Sequence, residues 1–219
     1  MPGETVPLAP DEVRHVRVRR LLDGSVVELL DGQGRTGRGP LGGGGTNVLV
    51  EEVEANVGEP AARWTVALAA AEPARVEWAV EKGTECGAAG FLLWIASRSQ
   101  KAFVTSLEGR LPRLRKVALE AAKQCGRSVV PGVDGPVAFR DLVARRPSFT
   151  AVPGTPAWAP ARGSGAQAGG LIVIGPEGGL ADEERTALEA AGSISFGLGP
   201  RVLRMETAVV ASLVTFSIG

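Results

Sequence analysis

Two short apolar runs near the C-terminus each stop at glycine, and no other stretch of the chain limits the fold so sharply. The first is Leu171-Ile-Val-Ile-Gly-Pro-Glu-Gly-Gly-Leu180, the second Leu198-Gly-Pro-Arg-Val-Leu-Arg-Met-Glu-Thr-Ala208. Leu171 to Ile174 are consecutive strand formers, the length of a buried strand and too short for a helix. Gly175, Pro176, Gly178 and Gly179 then break both strand and helix. A helix resumes near Ala181, with Asp182, Glu183 and Glu184 in its first turn, where the helix dipole favours carboxylates. Residues 194–196 read as a second short strand, Gly197 and Gly199 open a loop, and residues 205–216 follow a helical pattern. Open α/β sheets bind ligands in a crevice at the carboxyl ends of their strands, and glycine-lined loops after buried strands mark such a crevice.

The rest of the chain supplies the sheet. Strands are expected at residues 64–70, 91–96, 128–131 and 149–152, and helices at 74–87, 112–125 and 137–145. This alternation predicts a mostly parallel sheet covered by helices. Residues 154–170 form a Gly/Pro/Ala/Ser loop longer than packed connections usually are, either a lid or an insertion. Residues 11–54 differ in kind: a short helix at 11–20, strands at 25–30 and 48–53, and a turn at Asp31-Gly-Gln-Gly34. The tract Gly42-Gly-Gly-Gly45 lacks a following Gly-Lys-Ser/Thr, so it reads as a floppy hairpin tip rather than a phosphate loop. A polar linker at 55–62 divides the chain into domains at 1–57 and 62–219.

Net charge is zero, with 24 basic and 24 acidic side chains, but the charge is segregated. Residues 97–127 carry Arg98, Lys101, Arg110, Arg113, Arg115, Lys116, Lys123 and Arg127 against Glu108 and Glu120. For the expected helix at 112–125, Leu111, Leu114, Ala118, Ala121 and Cys125 follow helical spacing and form a buried stripe. Arg113, Lys116, Glu120, Lys123 and Arg127 form another, either a solvated face or a contact for RNA phosphates. No apolar run is long enough to cross a membrane, and the first residues carry no secretory pattern, so a cytoplasmic protein is expected. Cys86, Cys125 and the lone His15 have no metal-ligand spacing; the cysteines read as buried, reduced thiols.

The motifs G-P-E-G-G and L-G-x-R-[VI]-L-R-x-E-T-A, about twenty residues apart, resemble the RsmE family of ribosomal RNA uracil-N3 methyltransferases. Upstream, Lys82-Gly-Thr-Glu-Cys-Gly87 is similar to that family's K-x-T-E-L-G, with cysteine for leucine. Arg98-Ser99 and Ala118-Leu-Glu-Ala-Ala-Lys-Gln-Cys-Gly-Arg127 with Pro131 also match. The resemblance is close over residues 64–216 and loose over 11–57. It implies an α/β fold of the SPOUT class, with a trefoil knot near residues 149–216 and a small β-rich, PUA-like RNA-binding domain at the N-terminus. That family's opening strand, before the first helix, finds no counterpart in this sequence. A homodimer is also implied, with Val209, Val210, Leu213 and Val214 of the C-terminal helix at its interface.

The implied cofactor is S-adenosylmethionine, the implied substrate small-subunit (16S) ribosomal RNA, free or in the assembled 30S subunit, with no metal and no membrane. S-adenosylmethionine has no phosphate, so it needs an apolar slot and close backbone rather than a basic cradle. Expected cofactor residues are Val152, Ile174, Gly175, Pro176, Glu177, Gly178, Gly179, Leu198, Gly199, Val202, Leu203, Arg204, Thr207 and Ala208, with Leu180 among the adenine walls. Arg201, Arg204 and Glu206 are the catalytic candidates. Arginine suits carbonyl and phosphate oxygens, and a carboxylate can take the uracil N3 proton. Glu177 is the second candidate base, and Glu206 equally reads as a cap for the last helix. Arg14, His15, Arg17, Arg19, Arg98, Arg113, Lys116 and Lys123 are the expected RNA contacts. The rival readings are a non-catalytic RNA-binding or ribosome-assembly protein that keeps the fold, and a small-molecule nucleotide binder.

Overall fold

The computed structural model describes residues 1–156 and 169–217. Most of the expected loop at 154–170 therefore lies outside the described residues. The chain forms two compact units, Met1–Glu59 with Gly126–Val130, and Pro60–Cys125 with Pro131–Gly219.

The first unit is antiparallel. Strands β1 (Thr5–Pro7), β4 (Asn47–Leu49), β3 (Arg35–Gly42) and β2 (Val26–Leu30) pair in that order, and β5 (Glu52–Ala55) also pairs with β3. Helix α1 (Pro10–Val18) starts at proline and sends Val16 into a small core with Leu41 and Val48. The expectation that no strand precedes this helix is corrected by β1, where Thr5 pairs with Leu49 and Pro7 with Asn47. Three residues ending in proline leave no alternation to read. The glycine tract is a hairpin tip between β3 and β4, and it is tied down: Gly44 and Gly45 donate their N–H groups to the Asp23 carboxylate at 3.0 and 2.9 Å.

Residues 128–131, expected as a strand of the parallel sheet, instead bond within the first unit. Ser128 donates its N–H to the Val57 carbonyl at 3.0 Å, and Val129 to Glu59 Oε1 at 2.9 Å. Arg127 is likewise removed from the expected basic face: it is 3% exposed, and its Nη2 meets Glu59 Oε2 at 2.7 Å.

The second unit holds a six-stranded, wholly parallel sheet in the order β11-β9-β10-β6-β7-β8. These strands are β6 (Arg63–Ala69), β7 (Gly90–Ile95), β8 (Gly132–Ala138), β9 (Phe149–Ala151), β10 (Gly169–Ile174) and β11 (Ile194–Phe196). Helices α2 (Pro73–Glu85), α3 (Lys101–Cys125), α4 (Phe139–Ala144), α5 (Asp182–Ala190) and α6 (Met205–Ser217) connect or follow them. One face buries Ala67, Trp94 and Val173 against Leu142 of α4 and Leu188 of α5. On the other, Trp64, Phe149 and Phe196 surround Phe216 of α6, with ring centroids 4.6–5.2 Å from it. Helix α3 begins eleven residues before its expected start, because Pro112, read as a helix opener, sits inside it. Proline there removes only one helical hydrogen bond, and Leu107 and Leu114 are buried on either side of it. Cys86 is half-buried, but Cys125 is exposed at the end of α3, against the expectation of two buried thiols; both are free. Burial, and then the Glu85 charge, push the Cys86 thiol pKa up.

Candidate active site

The carboxyl ends of β9, β10 and β11 open onto one cavity of about 470 Å³. This lies within the range of small-molecule sites. Sequence forces the chain to turn there. After Ile174 the segment Pro176-Glu-Gly-Gly179 closes a tight turn, in which Gly179 donates its N–H to the Pro176 carbonyl at 2.8 Å with φ at +71°. On β11, Phe196 accepts a hydrogen bond from the Val152 N–H at 2.9 Å, and Gly197 follows. A side chain at Gly197 would collide with the Thr155 carbonyl, so only glycine lets the two loops pass.

The cavity gathers most of the expected cofactor residues: Val152, Ile174, Gly175, Pro176, Glu177, Gly179, Leu198, Gly199, Val202, Leu203, Arg204 and Ala208, together with Leu180 and Arg201. Gly178, Thr207 and Glu206 are not part of its lining. Gly178 instead turns its carbonyl outward to Arg98, whose Nη1 donates to it at 3.1 Å. Thr207 is exposed on α6. The lining also includes Arg75, Ala151, Pro153, Asp182, Arg185, Phe196 and Met205, none of which was expected. Arg75 lies a hundred residues upstream, in a helix start without a recognisable motif, and only the sheet order brings it here.

Behind the glycine turn, Glu184 is 5% exposed and carries two backbone hydrogen bonds. Its Oε1 accepts from the Ser97 N–H at 2.8 Å and its Oε2 from the Ala181 N–H at 2.9 Å. One carboxylate thus caps α5 and pins the loop that carries Arg98. The acidic triplet was legible as a helix start, but this bridge was not.

Arg75 organises the charge at the rim. Its Nε donates to Glu72 Oε2 at 2.9 Å, and its Nη1 pairs with Glu177 of the glycine turn. The hydrogen bond to Glu72, followed by the charges of Glu177 and Glu206, raises its pKa. Glu206, in the first turn of α6, holds Oε2 buried with no hydrogen-bond partner, so that oxygen caps nothing.

The expected RNA contacts have different surroundings. Arg14, His15, Arg17 and Arg19 are exposed on α1 and its end. On α3, Arg113 pairs with Glu77 of α2 at 3.2 Å and Lys123 with Glu120 at 3.7 Å, while Lys116 is exposed. That face is mixed in charge rather than uniformly basic. Among the described residues, no group of three or more His, Cys, Asp and Glu side chains is placed to hold a metal ion.

A family model described as an RNA methyltransferase domain matches residues 58–217. The ribosomal RNA small subunit methyltransferase E of Mycobacterium tuberculosis (strain CDC 1551 / Oshkosh) is 36% identical over 227 residues, covering 96% of this chain and 85% of its own. The protein of that name from Bacillus subtilis (strain 168) is 36% identical over 155 residues, covering 65% of this chain and 60% of its own. Among solved structures, a Legionella pneumophila protein in complex with S-adenosylmethionine as bound cofactor superposes with a TM-score of 0.85 at 27% identity, over 100% of this chain and 93% of that one. A ribosomal RNA small subunit methyltransferase E from Neisseria gonorrhoeae, bound to S-adenosylmethionine, shares the fold at a TM-score of 0.84 and 24% identity, over 97% and 91% of the two chains.

Proposed function

The chain belongs to the ribosomal RNA small subunit methyltransferase E family, and from that premise we propose that it methylates N3 of a uridine in small-subunit ribosomal RNA, using S-adenosylmethionine. It is an S-adenosylmethionine-dependent rRNA methyltransferase. The observation that carries the reading is the convergence of both glycine loops on one cavity at the carboxyl end of a parallel sheet.

The cavity fits the cofactor's chemistry. Leu180, Leu198, Val202 and Leu203 provide apolar walls for an adenine, and the loops bring backbone N–H and C=O groups close. At Gly199, where φ is +101°, a Cβ would meet no protein atom within 4 Å, so the glycine leaves room a ligand can take. When bound, S-adenosylmethionine supplies an electrophilic methyl group on a sulfonium. This chain's residues do the rest. Arg201 and Arg204 would stabilise the negative charge that loss of the N3 proton spreads onto the uracil carbonyl oxygens, leaving N3 ready to accept the methyl group. Glu206 accepts the N3 proton, with Glu177 as the second candidate.

The remaining elements extend the proposal. We read the first unit as a PUA-like RNA-binding domain, with Arg14, His15, Arg17 and Arg19 of α1 facing phosphates. Arg98, Arg113, Lys116 and Lys123 contribute contacts from the second unit. A trefoil knot is supported by the strand order: β11 lies outside β9, yet α6 packs back against β6, β10 and α2. For a homodimer through α6, Val214, which is apolar and 41% exposed, is the available contact, whereas Val209 and Leu213, also expected at that interface, are fully buried within the chain.

Calorimetry tests the cofactor site. The wild type should bind S-adenosylmethionine, and Gly199→Val should not while remaining folded; equal affinity would displace the site. Arg204→Ala should bind nearly as the wild type and turn over on the order of 10²–10³-fold more slowly.

A further inference from the structure

Both α2 and α6 start at the carboxyl end of the parallel sheet, and they pack side by side. Gly83 makes this possible: a Cβ there would come within 3.3 Å of Val209 Cγ1 and 2.8 Å of the Phe91 ring. At the other end of α2, Arg75 lines the same cavity as Arg204 and Met205, the residues that flank Glu206 in the chain, and it lies within reach of the Glu206 charge. Arg75 is only 26% exposed, and it already spans two elements through Glu72 and Glu177. A guanidinium has five N–H donors, so further donors are left beside those two contacts. Glu206 Oε2 is a buried acceptor without a partner. Leaving such an oxygen unpaired is costly, and it persists where the surroundings hold it for use. Other charges on α2 are spoken for: Glu77 faces Arg110 and Arg113, and Lys82 bridges Glu81 and Glu85. Within β6 and β10 the one charged residue is Arg63, at the opposite, amino end of the sheet.

We infer that Arg75 is a positioning residue that couples the glycine turn to Glu206, orienting the carboxylate only when Glu177 holds the guanidinium in place. This rests on Glu206 as the proton acceptor. Arg75 thereby links the loop that walls the cofactor to the group that receives the substrate's proton, so cofactor site and base are assembled together. Lysine carries the charge but not the fork, and cannot hold Glu72 and Glu177 while facing Glu206.

A double-mutant cycle on the full-length protein decides this. Single-turnover methyl transfer to rRNA is measured for wild type, Arg75→Met, Glu206→Gln and the double variant, with S-adenosylmethionine affinity and melting temperature alongside. Arg75→Met should slow transfer on the order of 10²-fold, as a misplaced catalytic group does, while affinity falls much less. The double variant should be no slower than Glu206→Gln, because Arg75 acts through that side chain. Arg75→Lys should recover part of the rate, and it replaces Arg75→Met in the cycle if the latter does not fold. Losses that multiply in the double variant overturn the coupling and leave the base assignment standing. A Glu206→Gln variant as fast as the wild type overturns the base assignment, and the coupling with it.

Discussion

Replacing Glu184 by alanine should loosen the active site from behind without touching its lining. The carboxylate is buried and accepts the Ser97 N–H at 2.8 Å and the Ala181 N–H at 2.9 Å. A hydrogen bond to a charged group contributes about 1.5–3 kcal/mol, and orphaned donors keep their desolvation cost. Two such bonds on one carboxylate overlap in part, so Glu184→Ala should cost about 3–5 kcal/mol. For a chain of this size each kcal/mol lowers the melting temperature by about 2–4 °C, so a fall of about 10 °C is expected. Glu184→Gln keeps one acceptor and turns an N–H toward the other donor, and should lose about half as much. Glu183, exposed in the same helical turn, is the control: Glu183→Ala should stay within about 0.5 kcal/mol of the wild type. Function should follow, because Ser97 precedes Arg98, whose guanidinium holds the Gly178 carbonyl. S-adenosylmethionine affinity should therefore weaken in Glu184→Ala and not in Glu183→Ala. Thermal unfolding monitored by circular dichroism, with calorimetry on the same samples, measures both. A melting temperature within 2 °C of the wild type for Glu184→Ala would refute the reasoning.

Two other perturbations separate RNA contact from folding. Changing Arg113, Lys116 and Lys123 together to alanine should reduce the slope of log RNA affinity against log salt by about two to three if each meets a phosphate; an unchanged slope would leave that face merely solvated, as its pairing with Glu77 and Glu120 allows. The buried pair Arg127–Glu59 should behave oppositely: Glu59→Gln should cost about 3–5 kcal/mol, and joint replacement by Leu and Met distinctly less, read from hydrogen exchange of the first unit's amides, with RNA salt dependence unaffected.

Signals carried within a few residues were legible, and signals carried by topology were not. Mainly apolar runs located β6, β7, β9 and β11 to within about a residue and β10 to within two, because strands of a parallel sheet covered by helices are rich in strand-forming apolar residues. Both glycine loops were visible for the same reason: glycine and proline end a strand abruptly. The first half of α3 was missed because Thr105, Ser106 and Gly109 weaken its helical pattern and Pro112 imitates a helix start. Residues 128–131 have strand-like composition, yet the N–H groups of Ser128, Val129 and Val130 go to Val57, Glu59 and Gly32, all distant in sequence. Arg127 read as one more basic surface residue, since no local feature reveals a carboxylate sixty-eight positions away. At the site, the lining contributed by the two glycine loops, residues 174–180 and 198–204, was legible, while Asp182, Arg185, Phe196, Met205, Arg75 and the inward role of Glu184 required the strand order.

Mapping methylated nucleotides in small-subunit ribosomal RNA tests the central claim most directly. Ribosomal RNA from a strain lacking this gene would be incubated with the purified protein and S-adenosylmethionine, digested, and analysed by mass spectrometry against an untreated control. The account predicts one methyl group gained on a single uridine, at N3, with Arg204→Ala on the order of 10²–10³-fold slower. Identical maps with and without the protein, on free RNA and on isolated small subunits alike, or a methyl group on another atom, would contradict it.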